Sequence, residues 1–308
     1  MKNVVAIGGG HGLSTILKGI KKIQDINISA IVTVADDGGS TGRIRQRYTI
    51  PAMGDVRNVM LSLSDSDPLL HDLMNYRFSG EDNMDIAGHS LGNLILTALT
   101  NMTGSFDEAI KQTSELLKVN GRIIPSTLES VTLYAKMDDE TIVRGENSIP
   151  NLLHNIEEVF YDKKVKGNPE AVKAILDADI VIYGIGSLYT SILPNTIIPE
   201  ISEALNSTQA RKIYFANCMT QSNETYNYDL SDHLKALQKH HTPVDMVIMH
   251  NNTIPQEILN RYAKHNSIEV KNNSDYDVDV RYFDLLDFED RLIRHNPNKI
   301  KRAIESIL

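Results

Sequence analysis

The sequence contains little cysteine and no long apolar run. Its 308 residues include one cysteine, Cys218, and no tryptophan. A single thiol excludes an internal disulfide framework and is typical of a reducing compartment, so we expect a cytoplasmic protein. The apolar run at residues 4–7 is too short for a signal-peptide core. No run approaches the roughly 20 residues of a membrane-spanning helix, so we predict no membrane partner.

Positive charge is also scarce. There are 31 Lys and Arg residues against 40 Asp and Glu residues, a formal net charge of −9. A general nucleic-acid binder needs a basic face that displaces counterions from phosphates, so we predict no nucleic-acid partner. The remaining composition is that of an ordinary globular protein. Because no Pro/Ser/Gly-rich linker divides the chain, we predict a single domain over residues 1–308.

Glycine, by contrast, is concentrated in a few places. Eleven of the 18 glycines fall in four short clusters, at residues 8–12, 38–42, 88–92 and 184–186. Glycine is tolerated where the backbone needs a positive φ or must approach a ligand closely. Glycine clusters that follow predicted strands therefore indicate candidate binding loops.

Short buried strands alternate with helices along most of the chain. Apolar runs predict strands at 3–7, 26–35, 178–183, 212–217 and 244–249, and helical spacing predicts helices at 13–23, 169–176, 195–205, 230–240 and 256–264. This alternation is typical of an α/β protein with a doubly wound, mainly parallel sheet.

The middle of the chain departs from this alternation. Consecutive helices are predicted at 55–63, 69–78, 89–101 and 106–117, and a β-hairpin at 129–144. We interpret the range from about 55 to 165 as a helical and β-hairpin insertion that caps the sheet. A short amphipathic helix is predicted at 298–307.

The first glycine cluster lies between a strand and a helix. Backbone N–H groups and the positive end of the helix dipole face a ligand anion in that position. The P-loop motif is absent, and the dinucleotide motif would need glycine in place of Leu13. We favour phosphate or nucleotide binding over a simple tight turn, with these candidates: Gly8, Gly9, Gly10, His11 and Gly12.

Two adjacent carboxylates, Asp36 and Asp37, follow the second strand. Either could hold Mg²⁺ beside substrate phosphates. Alternatively, one could bond a ribose or base while Arg43 contacts a phosphate. A polar surface loop is the simpler interpretation. The remaining candidates in this segment are Gly39, Ser40 and Thr41.

Further candidates lie at the starts of two predicted helices. Asp55 and Asn58 are three residues apart and can share one helix face. Asn93 belongs to the helix that begins near His89. Asp55 is equally explained as an ordinary acid in a first helical turn. The ten histidines show no metal-ligand spacing, so we predict no zinc site.

Polar residues also follow the later strands. Open parallel sheets bind ligands along the carboxyl ends of their strands, so loops of this kind converge on one cleft. Cys218 has no base beside it in sequence, and we interpret it as a buried thiol. The candidates are Gly184, Gly186, Ser187, Leu188, Tyr189, Thr190, Asn217 and Thr220.

These motifs together resemble the 2-phospho-L-lactate transferase-like family. The segments that carry the resemblance are GGGHGLSTILKGI, VTVADDGGSTGRIR, PAMGDVRNVM, GHSLGNLIL, SLYTSILPN, NCMTQ and RHNPNK. They look more like the YvcK gluconeogenesis-factor branch than the CofD transferase branch. Ile185 stands where that branch is expected to have proline, and Ser222-Asn223 replace a proline-glycine pair.

The resemblance implies a Rossmann-like core and a nucleotide ligand. The YvcK branch implies a cytoplasmic regulatory protein that binds a UDP-sugar such as UDP-N-acetylglucosamine, is linked to gluconeogenic growth, envelope synthesis and cell shape, and requires no cofactor. Arg294 would then contribute a phosphate contact.

The CofD branch implies the alternative, a transferase that moves a phospho-lactyl group from a guanosine diphospho donor to a deazaflavin. Asp36, Asp37 and Asp55 would hold Mg²⁺ and the acceptor hydroxyl. A nicotinamide oxidoreductase is a third hypothesis, weakened by Leu13. The protein partner is unidentified, and homo-oligomer formation is left open by the sequence.

Overall fold

Strands and helices alternate along the chain in this computed structural model, which describes residues 1–80, 86–151, 154–273 and 276–308. The strands are β1 (Lys2–Gly8), β2 (Ile26–Val32), β3 (Arg122–Pro125), β4 (Leu133–Met137), β5 (Ile142–Arg144), β6 (Ile156–Tyr161), β7 (Ile180–Tyr183), β8 (Arg211–Phe215), β9 (Met246–His250), β10 (Asp279–Phe283), β11 (Leu286–Glu289) and β12 (Leu292–His295).

The helices are α1 (Gly10–Ile20), α2 (Gly39–Arg47), α3 (Gly54–Leu63), α4 (Pro68–Asn75), α5 (Leu91–Thr103), α6 (Phe106–Leu116), α7 (Pro169–Leu176), α8 (Leu193–Thr196), α9 (Pro199–Ser207), α10 (Leu230–Lys239), α11 (Gln256–Ala263) and α12 (Pro297–Glu305). A π-helical turn, Leu188–Ile192, precedes α8. Within the described ranges, none of the helices is both long and apolar enough to span a bilayer.

Seven parallel strands form the central sheet, in the order β10-β9-β8-β7-β1-β2-β3. From β1 the chain moves outward through β2 to β3, and from β7 it moves in the opposite direction to β10. Since crossovers between parallel strands are right-handed, the two halves place their helices on opposite faces. This confirms the predicted doubly wound sheet, and its strand order reverses between β1 and β7.

The core explains why the strand and helix patterns were readable in the sequence. Val4, Val5, Ala6 and Ile7 of β1 are at most 1% exposed, as expected for a strand covered on both faces. The predicted apolar face of α1 is also fully buried and packs among α3, α12 and the sheet. Apolar runs therefore indicated strands that are covered on both faces, and helical periodicity indicated the buried face of α1.

The range predicted as an insertion, 55–165, is divided by a strand of the central sheet. β3 pairs with β2, so the helices α3 to α6 and the strands β4 to β6 are two separate excursions. The predicted hairpin is confirmed as β4 and β5, and β6 adds a third antiparallel strand. Residues 81–85 and 152–153 of this range lie outside the described residues. The single domain stays a prediction.

The second glycine cluster is helical, contrary to the predicted loop. Gly39 begins α2, which continues to Arg47. Polar and charged residues dominate this helix, so it has no clear apolar stripe. Its buried face consists of small residues, among them Ser40, Thr41 and Gly42, together with Ile44. A helix that packs through small polar side chains gives no hydrophobic period to detect.

His295, which is largely shielded from water, should make the fold sensitive to acid. Burial, and then the neighbouring charge of His250, lower the pKa of His295 from 6.5 to about 4. The unfolded chain binds this proton near pH 6.5, so the stabilising contribution is complete above that pH and is lost as the pH falls towards 4. Between pH 7.5 and pH 5 we expect the free energy of unfolding to fall by about 2 kcal/mol less in His295→Gln than in the wild type.

Urea unfolding at both pH values measures this difference. The control is His265→Gln at an exposed histidine, which should leave the pH dependence unchanged. An unaltered pH dependence in His295→Gln would show that His295 is protonated in the folded protein.

Candidate functional site

Two glycine loops meet where the strand order reverses. The loop after β1 contains Gly12, where an added Cβ would lie 2.5 Å from the carbonyl carbon of Ile185 in the loop after β7. Asn217, which follows β8, donates to the carbonyl oxygen of Gly186 (2.9 Å) and accepts its N–H (3.3 Å). The structure thus brings together three of the segments predicted from sequence, at the topological switch point of the sheet.

The helices that begin at this cleft direct their first backbone N–H groups towards it. In the described part of the chain, α1, α2 and α3 begin without a side-chain N-cap. The N–H of Gly10 instead donates to the carboxylate of Asp55, and the N–H of Gly38 donates to Asp36 Oδ1 at 2.8 Å. Carboxylates of the protein itself therefore occupy positions where a helix N-terminus attracts an anion.

Three acids from three elements, Asp36, Asp55 and Glu146, influence one another electrostatically. Burial, and then the charge of Asp36, raise the pKa of Asp55 to about 7. Burial, and then the charges of Asp36, Asp55 and Glu224, raise the pKa of Glu146 to about 8. The pKa of Asp36 is raised chiefly by burial. Neighbouring acids resist simultaneous ionisation, and their oxygen donors are of the kind that a hard divalent cation such as Mg²⁺ prefers. Among the described residues, ligand atoms mutually within 4.8 Å are found instead at the exposed set Asp138, Asp139 and His154, so the three acids of the cleft would have to draw closer to share one cation.

A fourth acid, Glu224, places its carboxylate at the first residues of the π-helical turn. It accepts the N–H of Tyr189 at 3.3 Å and the hydroxyl of Thr190 at 2.7 Å. Burial raises the pKa of Glu224, and these hydrogen bonds oppose the shift. Leu188 is fully buried. Three residues predicted as ligand contacts thus have partners within the protein: Tyr189 and Thr190 bond to Glu224, and Leu188 packs in the core.

A polar network connects α2 with α3 and α5. The hydroxyl of Ser40 lies 2.9 Å from His89 Nδ1 and accepts from Asn93 Nδ2 at 3.2 Å. The buried guanidinium of Arg57 donates to Asn93 Oδ1 at 3.2 Å and to the hydroxyl of Ser90. Two predicted candidates, Ser40 and Asn93, are therefore brought together, and their polar groups bond within the protein.

Other candidates also bond within the protein. Thr41 donates to Asp36, Arg43 to the Ala87 carbonyl and Gln221 to Ser187, while Asn58 accepts from Arg57 and Thr220 from the Ile268 N–H. His11 and Gly39 are exposed. Cys218, predicted as a buried thiol, is only partly buried, and desolvation raises the pKa of its thiol to about 12.

Three basic residues near the C-terminus, Arg291, Arg294 and Lys299, differ in their contacts, and Arg294 is the one predicted to contact a phosphate. Lys299 bonds to Asp284 at 2.8 Å and fastens the β11-β12 hairpin to α12. Arg291 pairs with Glu257 at the surface (3.1 Å). Arg294 is exposed on β12, and its side chain makes no hydrogen bond or ion pair to the described residues. The structure brings Arg294 into contact with neither glycine loop.

Sequence reasoning missed Glu146, Glu224 and Arg57. Arg57 lies inside a motif that was examined for its neighbours Asp55 and Asn58. Glu224 directly follows Ser222-Asn223, where the sequence departs from the motif that the YvcK branch is expected to have. Glu146 carried no signal, because it follows the predicted hairpin, which local sequence does not connect with the carboxyl ends of the parallel strands.

An open parallel sheet with glycine loops and uncapped helix starts at its switch point defines a Rossmann-like α/β protein with its cleft at the carboxyl edge. Within that class the sequence matches the family described as 2-phospho-L-lactate transferase CofD over residues 4–285, and the chain belongs to this family.

Curated relatives and a solved structure agree with this assignment. The chain is 43% identical over 310 residues to a gluconeogenesis factor of Halalkalibacterium halodurans, covering 98% of this chain and 95% of the relative. It is 40% identical to the gluconeogenesis factor of Bacillus subtilis, covering 99% and 98%. A crystal structure of a Bacillus halodurans protein superposes with a TM-score of 0.94 at 42% identity, covering 99% of both chains.

Proposed function

We propose that the protein binds a nucleoside diphosphate sugar at the switch point, in the first place a UDP-sugar such as UDP-N-acetylglucosamine. The observation that carries this proposal is the packing of two glycine loops against each other beside the uncapped start of α1. The relatives named gluconeogenesis factor support a role in gluconeogenic growth. A cytoplasmic regulatory role in envelope synthesis and cell shape is part of the proposal through the resemblance to the YvcK branch.

The position of Asp55 sets a condition on diphosphate binding. Its carboxylate already accepts the Gly10 N–H that a phosphate would use. A diphosphate and an ionised Asp55 repel each other, so binding requires either a proton on Asp55 or a cation between the two anions. Asp36, Asp55 and Glu146 would hold such a cation.

Ligand binding should be visible as thermal stabilisation. At about 100 times its dissociation constant, a ligand contributes roughly 2.7 kcal/mol, which corresponds to about 5 °C in Tm. We expect UDP-N-acetylglucosamine to give this shift, and NADH to give none. Because Mg²⁺ relieves the repulsion at Asp55, the shift at pH 8 should be larger with Mg²⁺ than with EDTA. No shift with the UDP-sugar, together with a clear one for GDP and Mg²⁺, would reverse the order of the two candidates.

The carboxylate cluster favours a second candidate, the Mg²⁺-dependent transferase. Asp36, Asp55 and Glu146 supply oxygen donors from three elements, and a bound Mg²⁺ would stabilise the charge on transferring phosphoryl oxygens. The acceptor hydroxyl would attack the lactyl-bearing phosphorus, and GMP would leave. Mass spectrometry of the protein with a guanosine diphospho-lactate, a deazaflavin and Mg²⁺ should then detect GMP, and its absence would remove this candidate.

A further inference from the structure

The two adjacent carboxylates after β2 have different partners. Asp36 accepts the N–H of Gly38 and faces the charge of Asp55 in the cleft. Asp37 accepts, at Oδ1, the N–H of Asn147 at 2.9 Å. Asn147 belongs to the connection that follows β5, 110 positions further along the chain. The second carboxylate therefore bonds the hairpin sheet, formed by β4, β5 and β6.

The hairpin connection is shaped around Asp37. Gly145 has a φ of +98°, and a Cβ there would lie 2.5 Å from Asp37 Oδ2, so a side chain at this position would displace the carboxylate. The N–H of Gly145 donates to the carbonyl of Leu133 at 2.8 Å, and its carbonyl accepts from Ser148 N–H at 3.0 Å. Asp37 thus holds a tight turn that has Glu146 at its tip.

The rest of the hairpin sheet is fastened to the core at separate points. Arg45 donates to the carbonyl of Asp36 at 2.8 Å and to the carbonyl of Val131. The hydroxyl of Tyr161 donates to the carbonyl of Pro194 at 2.8 Å. Because the sheet is anchored independently, the bonds of Asp37 decide the local path of the connection, and with it where the Glu146 carboxylate lies.

We infer that Asp37 is a positioning residue, which holds the connection of the hairpin sheet so that Glu146 forms one wall of the ligand cleft. Asp37 then acts through Glu146 and touches neither cation nor ligand. This inference rests on the proposed function for the identity of the ligand, but the geometry of the turn can be tested without one.

The ligand-free test measures hydrogen exchange of the Asn147 amide. Asp37→Asn keeps an oxygen acceptor, so protection should stay near the wild-type value. Asp37→Ala removes the acceptor, and exchange at Asn147 should become about tenfold faster or more, while amides of β1 are unchanged. Full protection in Asp37→Ala would overturn the inference.

The binding test is a double-mutant cycle by calorimetry with UDP-N-acetylglucosamine and Mg²⁺. We expect Asp37→Asn to bind within about threefold of wild type, and Asp37→Ala to lose as much affinity as Glu146→Gln. The Asp37→Ala, Glu146→Gln double variant should be no weaker than either single one. Equal losses in Asp37→Asn and Asp37→Ala, or additive losses in the double variant, would show that Asp37 contacts the ligand or cation itself.

The two proposals fail in different ways. If the wild type binds none of the nucleotides, the proposed function is wrong, and the exchange of Asn147 still decides the role of Asp37. If the wild type binds and Asp37→Ala binds equally well, the proposed function stands and the positioning role is wrong.

Discussion

Asp55→Asn is expected to stabilise the ligand-free protein by about 2–4 kcal/mol at pH 8, because a tenfold difference in proton affinity corresponds to about 1.4 kcal/mol. The carboxyl ionises near pH 3.8 in the unfolded chain and near 7 in the folded one. The carboxylate of Asp55 therefore lowers the free energy of unfolding increasingly as the pH rises from 4 to 7, and by its full amount above pH 7. Asparagine carries no charge and can still accept the Gly10 N–H.

Urea unfolding at pH 8, 6 and 4.5 tests this expectation, and the gain should shrink towards zero at the lowest pH. The matched control is Asp162→Asn at an exposed carboxylate, which should change stability little at any pH. A loss of stability in Asp55→Asn at pH 8 would mean that a counter-charge compensates the ionised carboxylate in the folded protein. The same variant should weaken Mg²⁺-dependent ligand binding, a trade of function against stability common at binding sites.

Gly12→Ala is expected to destabilise the protein by about 3 kcal/mol or more, or to prevent folding. The added Cβ would lie 2.5 Å from the carbonyl carbon of Ile185 and 2.9 Å from the nitrogen of Gly186. Both atoms belong to the backbone and cannot rotate away as a flexible side chain would. The loops after β1 and β7 would have to separate, and the cleft between them would change shape.

Soluble yield and the midpoint of thermal unfolding measure this effect. Gly39→Ala is the control, because its φ of +46° is unfavourable for alanine while a Cβ there meets no described atom within 4 Å. It should cost only about 1 kcal/mol. If Gly12→Ala were as stable as the Gly39 variant, the two glycine loops could not be in the contact described.

The sequence by itself determined the class of fold and the place of the cleft. Both depend on local patterns: a buried parallel strand such as β1 is a continuous apolar run, and the glycine loop at residues 8–12 follows it directly. The family was equally readable, because its motifs are short continuous segments. The strand β3 and the polar helix α2 were not predicted. A strand of four residues is too short to show a hydrophobic period, and a helix that packs through small polar side chains has none.

Only the tertiary structure decided which acids share the cleft and what each one bonds. Glu146 joins Asp36 and Asp55 because the hairpin sheet folds back over the loop after β2, and no local pattern encodes a contact across 110 positions. Asp36 and Asp37 look equivalent in sequence. They differ in the fold because each carboxylate is held by a different backbone N–H, that of Gly38 for the first and that of Asn147 for the second.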